Sequence, residues 1–235
     1  MFDHSRLNQT LPEKVAHTIG ERITSGVYQP GERLIEAVLA KELKVSHGPI
    51  RDALRLLQYA GVVTIEAYRG AIVTEYSERE IQELYQVRSA LVGLRARWLA
   101  EDPDRESALA LVADTIGRMP DLAKSPRTKD AYISAALAVS QTLSEHISNR
   151  WLRTTLQALT LQTKRYTRMS LDSAARRRQS AKSWVDLLDA MRRGDGERAQ
   201  QLASAQSLMT RDAALKLMAQ SGQSAVTKKK AADSQ

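Results

Sequence analysis

Residues 34–60, LIEAVLAKELKVSHGPIRDALRLLQYA, constrain the chain more than any other stretch. Leu34, Leu39 and Leu43 recur at the 3.6-residue period, which predicts a first helix with one apolar face. Ile50, Ala53, Leu54 and Leu57 do the same for a second helix. Val45 is the apolar plug of the turn between them, and Ser46 is placed to cap the second helix through its hydroxyl. His47, Arg51 and Arg55 then follow one another at one-turn spacing on the polar side of that helix. This is the geometry in which a second helix enters the DNA major groove with its N-terminal residues leading. Two amphipathic helices with exposed arginines also occur in all-α proteins that never meet nucleic acid, so the flanks decide.

Upstream, Val15, Ile19 and Ile23 give another helix, closed by Gly26 and then by Pro30-Gly31. Thr10 and Glu13 are spaced as a capping box around Pro12, which suits a first helical turn. Downstream, β-branched runs at 62–66 and 71–74 read as two strands joined at Tyr68-Arg69-Gly70. Three helices and a hairpin make a winged helix-turn-helix over residues 1–75, with residues 1–9 as a loose arm.

Residues 12–73 resemble the DNA-binding domain of GntR-type bacterial transcription regulators. The resemblance is carried by Pro30-Gly31-Glu32-Arg33-Leu34, Leu39-Ala40, Val45-Ser46, the run PIRDALRLL from Pro49 to Leu57, and RGAIV in the wing. It implies a homodimer on a short palindromic operator in double-stranded DNA, with contacts from Arg33, Ser46, Arg51 and Gly70. Among these, Arg51 suits a base edge, because a guanidinium grips guanine with two hydrogen bonds. Arg33, Arg55 and Arg69 suit phosphates, which fix register without reading sequence. The family's usual Ser-Arg-Thr-Pro is Ser46-His47-Gly48-Pro49 here, so a neutral imidazole replaces one fixed charge at the groove. Lys44 stands where glycine is usual, at a left-handed position that costs a side chain about 1 kcal/mol.

Charge does not argue for DNA. The chain carries a net +8, yet residues 1–75 hold nine basic and nine acidic side chains, so the whole excess lies further on. The absence of cysteine rules out disulfides, thiolate metal sites and cysteine nucleophiles. No run approaches a membrane span and no signal-peptide core is present, which predicts a cytoplasmic protein. No nucleophile motif, carboxylate pair or phosphate loop suggests an enzyme.

Beyond Thr74 there is no strand signal. Residues 76–220 read as an all-α, antiparallel bundle of about six helices, at 77–100, 103–119 (ending before Pro120), 129–147, 150–170, 174–193 and 195–219. Residues 221–235 are expected to form a disordered basic tail. The overall class is mainly α. The first bundle helix should turn Ile81, Leu84, Arg88, Leu91, Leu94 or Arg95, and Trp98 inward; the fourth, Trp151, Leu152, Leu156, Leu159 and Tyr166.

The bundle is similar to the FCD domain of the FadR-like branch, through LYQVRSAL at 84–91, ISNRWL at 147–152 and AMRRGDGERA at 190–199. That branch usually binds a divalent metal with one aspartate and three histidines. Counted from those motifs, the four positions fall on Ala136, Ser140, Trp184 and Gln206, and His146 is the bundle's lone histidine. No metal and no cofactor are expected. The resemblance implies an effector domain for a small anionic ligand, with Arg88, Ser140, Trp184 and Gln206 as candidate contacts. Arg88 either faces inward toward a carboxylate or pairs with an acid at the bundle's edge. The basic segment of Lys164, Arg165, Arg168, Arg176, Arg177, Arg178 and Lys182 is either a solvated face or partly inward. The function implied is a ligand-responsive repressor; the alternative is a constitutive DNA-binding dimer whose helical domain is structural.

Overall fold

A computed structural model describes residues 10–66 and 69–232, with side chains as far as residue 220. The expected arm at 1–9, and Tyr68 at the hairpin tip, lie outside the described residues. The chain divides into two compact units, residues 1–77 with 157–165, and residues 78–156 with 166–235.

The first unit is a winged helix. Helix α1 (Leu11–Ser25) opens with the expected capping box, the Glu13 carboxylate accepting the Thr10 backbone N–H at 2.8 Å, and closes at Gly26 with φ 83°. Helices α2 (Glu36–Leu43) and α3 (His47–Tyr59) are joined through Lys44, whose φ of 55° makes it the one non-glycine residue with positive φ among those described. Leu34 is a correction. It does not begin α2 but lies in a short strand β1 (Arg33–Leu34), antiparallel to β3 (Gly70–Val73) through Leu34↔Ala71. The preceding Pro30-Gly31 turn leaves the chain extended, so Leu34 reaches the core from the sheet. Strand β2 (Val63–Glu66) pairs on the other side of β3, from Val63↔Val73 to Glu66↔Gly70. Val15, Ile19 and Ile23 of α1 pack with Leu39, Ile50, Ala53, Leu54, Leu57 and Val73. Burying one such leucine contributes about 1.5–3 kcal/mol, which holds the apolar side of α3 inward and its polar side out. Residues 157–165 complete this unit: Leu161 packs on the core and the Gln162 amide donates to the Ala60 carbonyl at 2.9 Å.

The second unit is all helix among its described residues: α4 (Glu78–Glu101), α5 (Arg105–Leu122), α6 (Lys129–Glu145), α7 (Arg150–Ser170), α8 (Ala174–Arg192) and α9 (Gly196–Ala232). Four expectations fail here. Helix α5 runs through Pro120 rather than stopping before it, because a proline in the last turn removes a single backbone bond. Helix α9 continues to Ala232 where a disordered tail is expected; alanine and lysine are good helix formers and no proline interrupts them.

The buried stripe of α4 is also rotated. It comprises Ile81, Tyr85, Ser89, Val92, Ala96 and Leu99, whereas Trp98 is 38% exposed. Small residues on this stripe let α9 approach closely. At Gly93 an added Cβ would stand 2.3 Å from Ser204 Oγ. The bulkier Leu91 and Leu94 pack at the edge, against Val92, Ile147, Leu152 and Leu156. Trp151 is likewise not inward but 68% exposed, its ring 4.5 Å from the Arg150 guanidinium carbon.

Candidate functional site

The first unit displays its polar groups on the outer face of α3. His47, Arg51 and Arg55 are all exposed, while Ile50, Ala53, Leu54 and Leu57 are buried on the opposite side. Ser46 has the extended backbone of an N-cap, but its hydroxyl makes no capping bond and is exposed, which corrects the expected cap. The hydroxyl is therefore available to an external acceptor. Arg51 Nε donates to Glu36 Oε2 of α2 at 2.8 Å, with side chains 62% and 37% exposed. Such a pair is worth at most about 1 kcal/mol and gives way easily to a better acceptor. Arg55 lies 3.6 Å from Asp52, and Arg69 lies 3.3 Å from Glu66 in the wing, both exposed. Gly70 has φ +79°, and a Cβ there would touch the Arg33 guanidinium at 3.9 Å, so Arg33 stands beside the wing.

The second unit encloses charge instead. On α4, Tyr85, Arg88 and Arg95 recur at intervals of three and seven residues and so share one face. Arg88 Nη1 donates to Ser207 Oγ of α9 at 3.3 Å. The Arg88 side chain is half-buried. Arg95, 3% exposed, donates through Nη1 to Ser144 Oγ at 2.8 Å and to the Ser140 carbonyl at 2.9 Å, while its Nε has no partner among the described residues. From α8, Arg176 donates through Nη2 to Thr210 Oγ1 at 3.3 Å, and its Nε and Nη1 are buried without partners among the described residues. The hydroxyls of Tyr85 and Tyr132 are buried beside Thr167 and Ser180, without good hydrogen-bond geometry to either.

The electrostatics tie these groups together. Burial lowers the pKa of Arg88 and of Arg176, and Tyr85 opposes the shift at both. Burial, then the charge of Arg88, pulls Arg95 down to about 9, still cationic at neutral pH. Burial raises Tyr85 and pushes Tyr132 up to about 12, so neither phenol ionises to serve as a counter-anion. No ion pair to Arg95 or Arg176 occurs among the described residues.

Of the four residues expected to line a ligand, Arg88 is in this cluster and Ser140 holds Arg95 through its carbonyl. Trp184 is buried in the apolar core, and Gln206 offers its carbonyl to the Thr210 hydroxyl at 3.0 Å. The sequence reading missed Tyr85 and Tyr132, left Arg95 undecided against Leu94, and held Arg176 only as one member of a basic segment that is either solvated or partly inward; Arg176 is buried. The seven-residue spacing of Arg88 and Arg95 was the available signal. The basic segment divides: Arg178 and Lys182 face solvent, while Arg177 is 1% exposed and donates to the carbonyls of Leu171 and Asp172 at 3.0 and 2.6 Å. The residues at the family's metal positions do not fit a metal: Ala136 and Trp184 offer no ligand atom, and Ser140 gives its oxygens to Arg95.

A winged helix with an outward, guanidinium-bearing recognition helix, joined to an all-α unit built round enclosed cations, defines a two-part transcription regulator. Two family models match this chain: bacterial regulatory proteins of the gntR family over residues 11–73, and the FCD domain over residues 83–206. The chain belongs to the GntR family, in its FCD branch, and is a DNA-binding transcription regulator rather than an enzyme. It is 27% identical to the galactonate operon transcriptional repressor of Escherichia coli K12 over 218 residues, covering 84% of this chain and 93% of that one. It is 34% identical over 112 residues to the uncharacterized HTH-type regulator YdhC of Bacillus subtilis, and spans half the length of that protein. Among solved structures, E. coli McbR/YncC shares the fold with a TM-score of 0.75 at 16% identity, over 90% of this chain and all of that one. Among the described residues, no helix is long and apolar enough to cross a membrane.

Proposed function

We propose that the chain is a ligand-responsive repressor that acts in the cytoplasm as a homodimer on a palindromic operator, with a small organic anion as effector. The DNA half of this reading is supported by the outward face of α3. Arg51 reads a base edge, Ser46 and His47 meet the duplex at the helix N-terminus, and Arg33, Arg55, Arg69 and Gly70 engage phosphates.

The effector half is carried by the buried guanidiniums of Arg95 and Arg176 in the second unit. Buried cations without carboxylate partners are costly to keep and mark functional sites. Arg88 contacts the anion, Ser140 acts through the Arg95 it holds, and Gln206 and Trp184 line the ligand's polar and apolar sides. An outer stripe of α4 supports dimerisation: Val87 is 54% and Trp98 38% exposed, with Leu91 and Leu94 half-buried between them and Leu84 half-buried a turn before. The repressor sense follows the similarity to the galactonate operon repressor.

The test is an electrophoretic shift with the full chain on the DNA upstream of its own gene. Selective binding should be lost in Arg51→Ala, and an organic anion should release the wild type. Binding without sequence preference overturns the DNA reading. Selective binding indifferent to every anion, with no rise in melting temperature, leaves the constitutive dimer in its place.

A further inference from the structure

We infer that the enclosed site of the helical unit takes an elongated organic dianion, one anionic group at Arg95 and the other at Arg176, held without any metal. This deepens the effector reading above and rests on it. Four observations carry the inference.

First, Arg95 and Arg176 each keep buried guanidinium nitrogens without partners among the described residues, on different helices. Each is therefore a donor waiting for an acceptor that the protein itself does not supply. Second, the two stand at different levels of the bundle. Arg95 is held by Ser140 and Ser144 near the end of α6, whereas Arg176 is grouped with Tyr85 and Tyr132, near the starts of α4 and α6. Along α4, Tyr85 and Arg95 are ten residues apart, a rise of about 15 Å before side chains reach inward. The long arginine side chains shorten that separation, and a ligand with an anionic group at each end suits it better than a single carboxylate.

Third, Arg88 lies between them and couples the ends, since its charge acts on Arg95 and it shares Tyr85 with Arg176. A monoanion at one end leaves the other guanidinium uncompensated; a dianion answers both. Fourth, Tyr85 and Tyr132 stay neutral and bring buried hydroxyls to the Arg176 end, suited to hydrogen-bonding an uncharged or anionic oxygen. Dicarboxylates and phosphorylated acids share this two-ended chemistry.

The experiment is titration calorimetry on the full chain after chelator treatment. Adipate and glucarate are set against their one-ended counterparts hexanoate and gluconate, with 6-phosphogluconate as the phosphorylated arm. A dianion should bind about tenfold or more tightly than its counterpart, with no loss after chelation. Arg95→Gln and Arg176→Gln should each weaken that dianion about tenfold or more. For the matching monoanion, only one of the two substitutions should matter. If either variant fails to fold, the ligand series on the wild type still decides.

Equal affinity for both members of each pair, affinity that disappears with chelation, or no binding by any dianion overturns the inference. A dianion that binds as expected but leaves operator binding unchanged overturns the effector reading and keeps the site. Preference for 6-phosphogluconate over glucarate identifies the phosphorylated class.

Discussion

Arg51 offers the sharpest separation of function from folding. Its side chain is 62% exposed, and its partner Glu36 is itself 37% exposed, so the pair adds at most about 1 kcal/mol to stability. Alanine is also the better helix former at a solvent-facing position of α3, offsetting part of that loss by a few tenths of a kcal/mol. Arg51→Ala should therefore leave the melting temperature within a few degrees of wild type. In the complex the same side chain exchanges Glu36 for a base edge, where a bidentate contact discriminates by about 1–3 kcal/mol, roughly five- to 150-fold. Specific affinity should fall by that factor while non-specific affinity barely moves. Glu36→Gln provides the complementary test: it releases Arg51 from a competing carboxylate and should tighten DNA binding. Fluorescence anisotropy on the operator and on scrambled DNA, at one fixed salt concentration, reads both effects. An Arg51→Ala protein that keeps its sequence preference, or that melts many degrees early, refutes the argument.

Other consequences can be checked on the same protein. Gly93→Ala places a Cβ 2.3 Å from Ser204 Oγ and 3.2 Å from the Gln200 carbonyl, so α4 and α9 must separate; we expect a loss of about 1–3 kcal/mol in urea unfolding, partly restored by adding Ser204→Gly. Lys44→Gly relieves the left-handed turn between α2 and α3, and should raise unfolding stability by up to about 1 kcal/mol without altering DNA preference. Arg95 sits at about 9 in the free protein against an ordinary 12.5, and a bound anion raises it, so binding near pH 9 should take up protons and affinity should decline above that pH. Calorimetry in buffers of different ionisation enthalpy measures that uptake, which should be absent at pH 7; proton release on binding would contradict the assignment. Arg55→Ala and Arg69→Ala should each lower the salt dependence of DNA binding by about one counterion without changing which sequence is preferred.

Much of the winged helix was legible because its signals are local. The period of Ile50, Ala53, Leu54 and Leu57, the Thr10–Glu13 box and the glycine at 26 each act within a few residues, and each acts alike in isolation and in the fold. Lys44 at positive φ was expected only through the resemblance, since the family usually has glycine there. The place of Leu34 was not legible, since a two-residue strand exists only because β3 comes alongside it.

In the bundle, six helical segments could be read from periodicity, but which stripe of α4 faces inward could not. Leucines at 84, 91 and 94 outweigh Ser89, Gly93 and Ala96 by hydrophobicity, yet the small residues won, because close approach of α9 buries more surface than bulky side chains would permit. The cation cluster lies furthest from sequence logic. By itself the sequence determined that arginines are present at 88, 95 and 176 and that metal ligands are missing. Only tertiary packing decided that the guanidiniums of Arg95 and Arg176 are buried in the bundle with two neutral phenols, because burial and proximity between distant segments belong to the folded arrangement and not to any one segment.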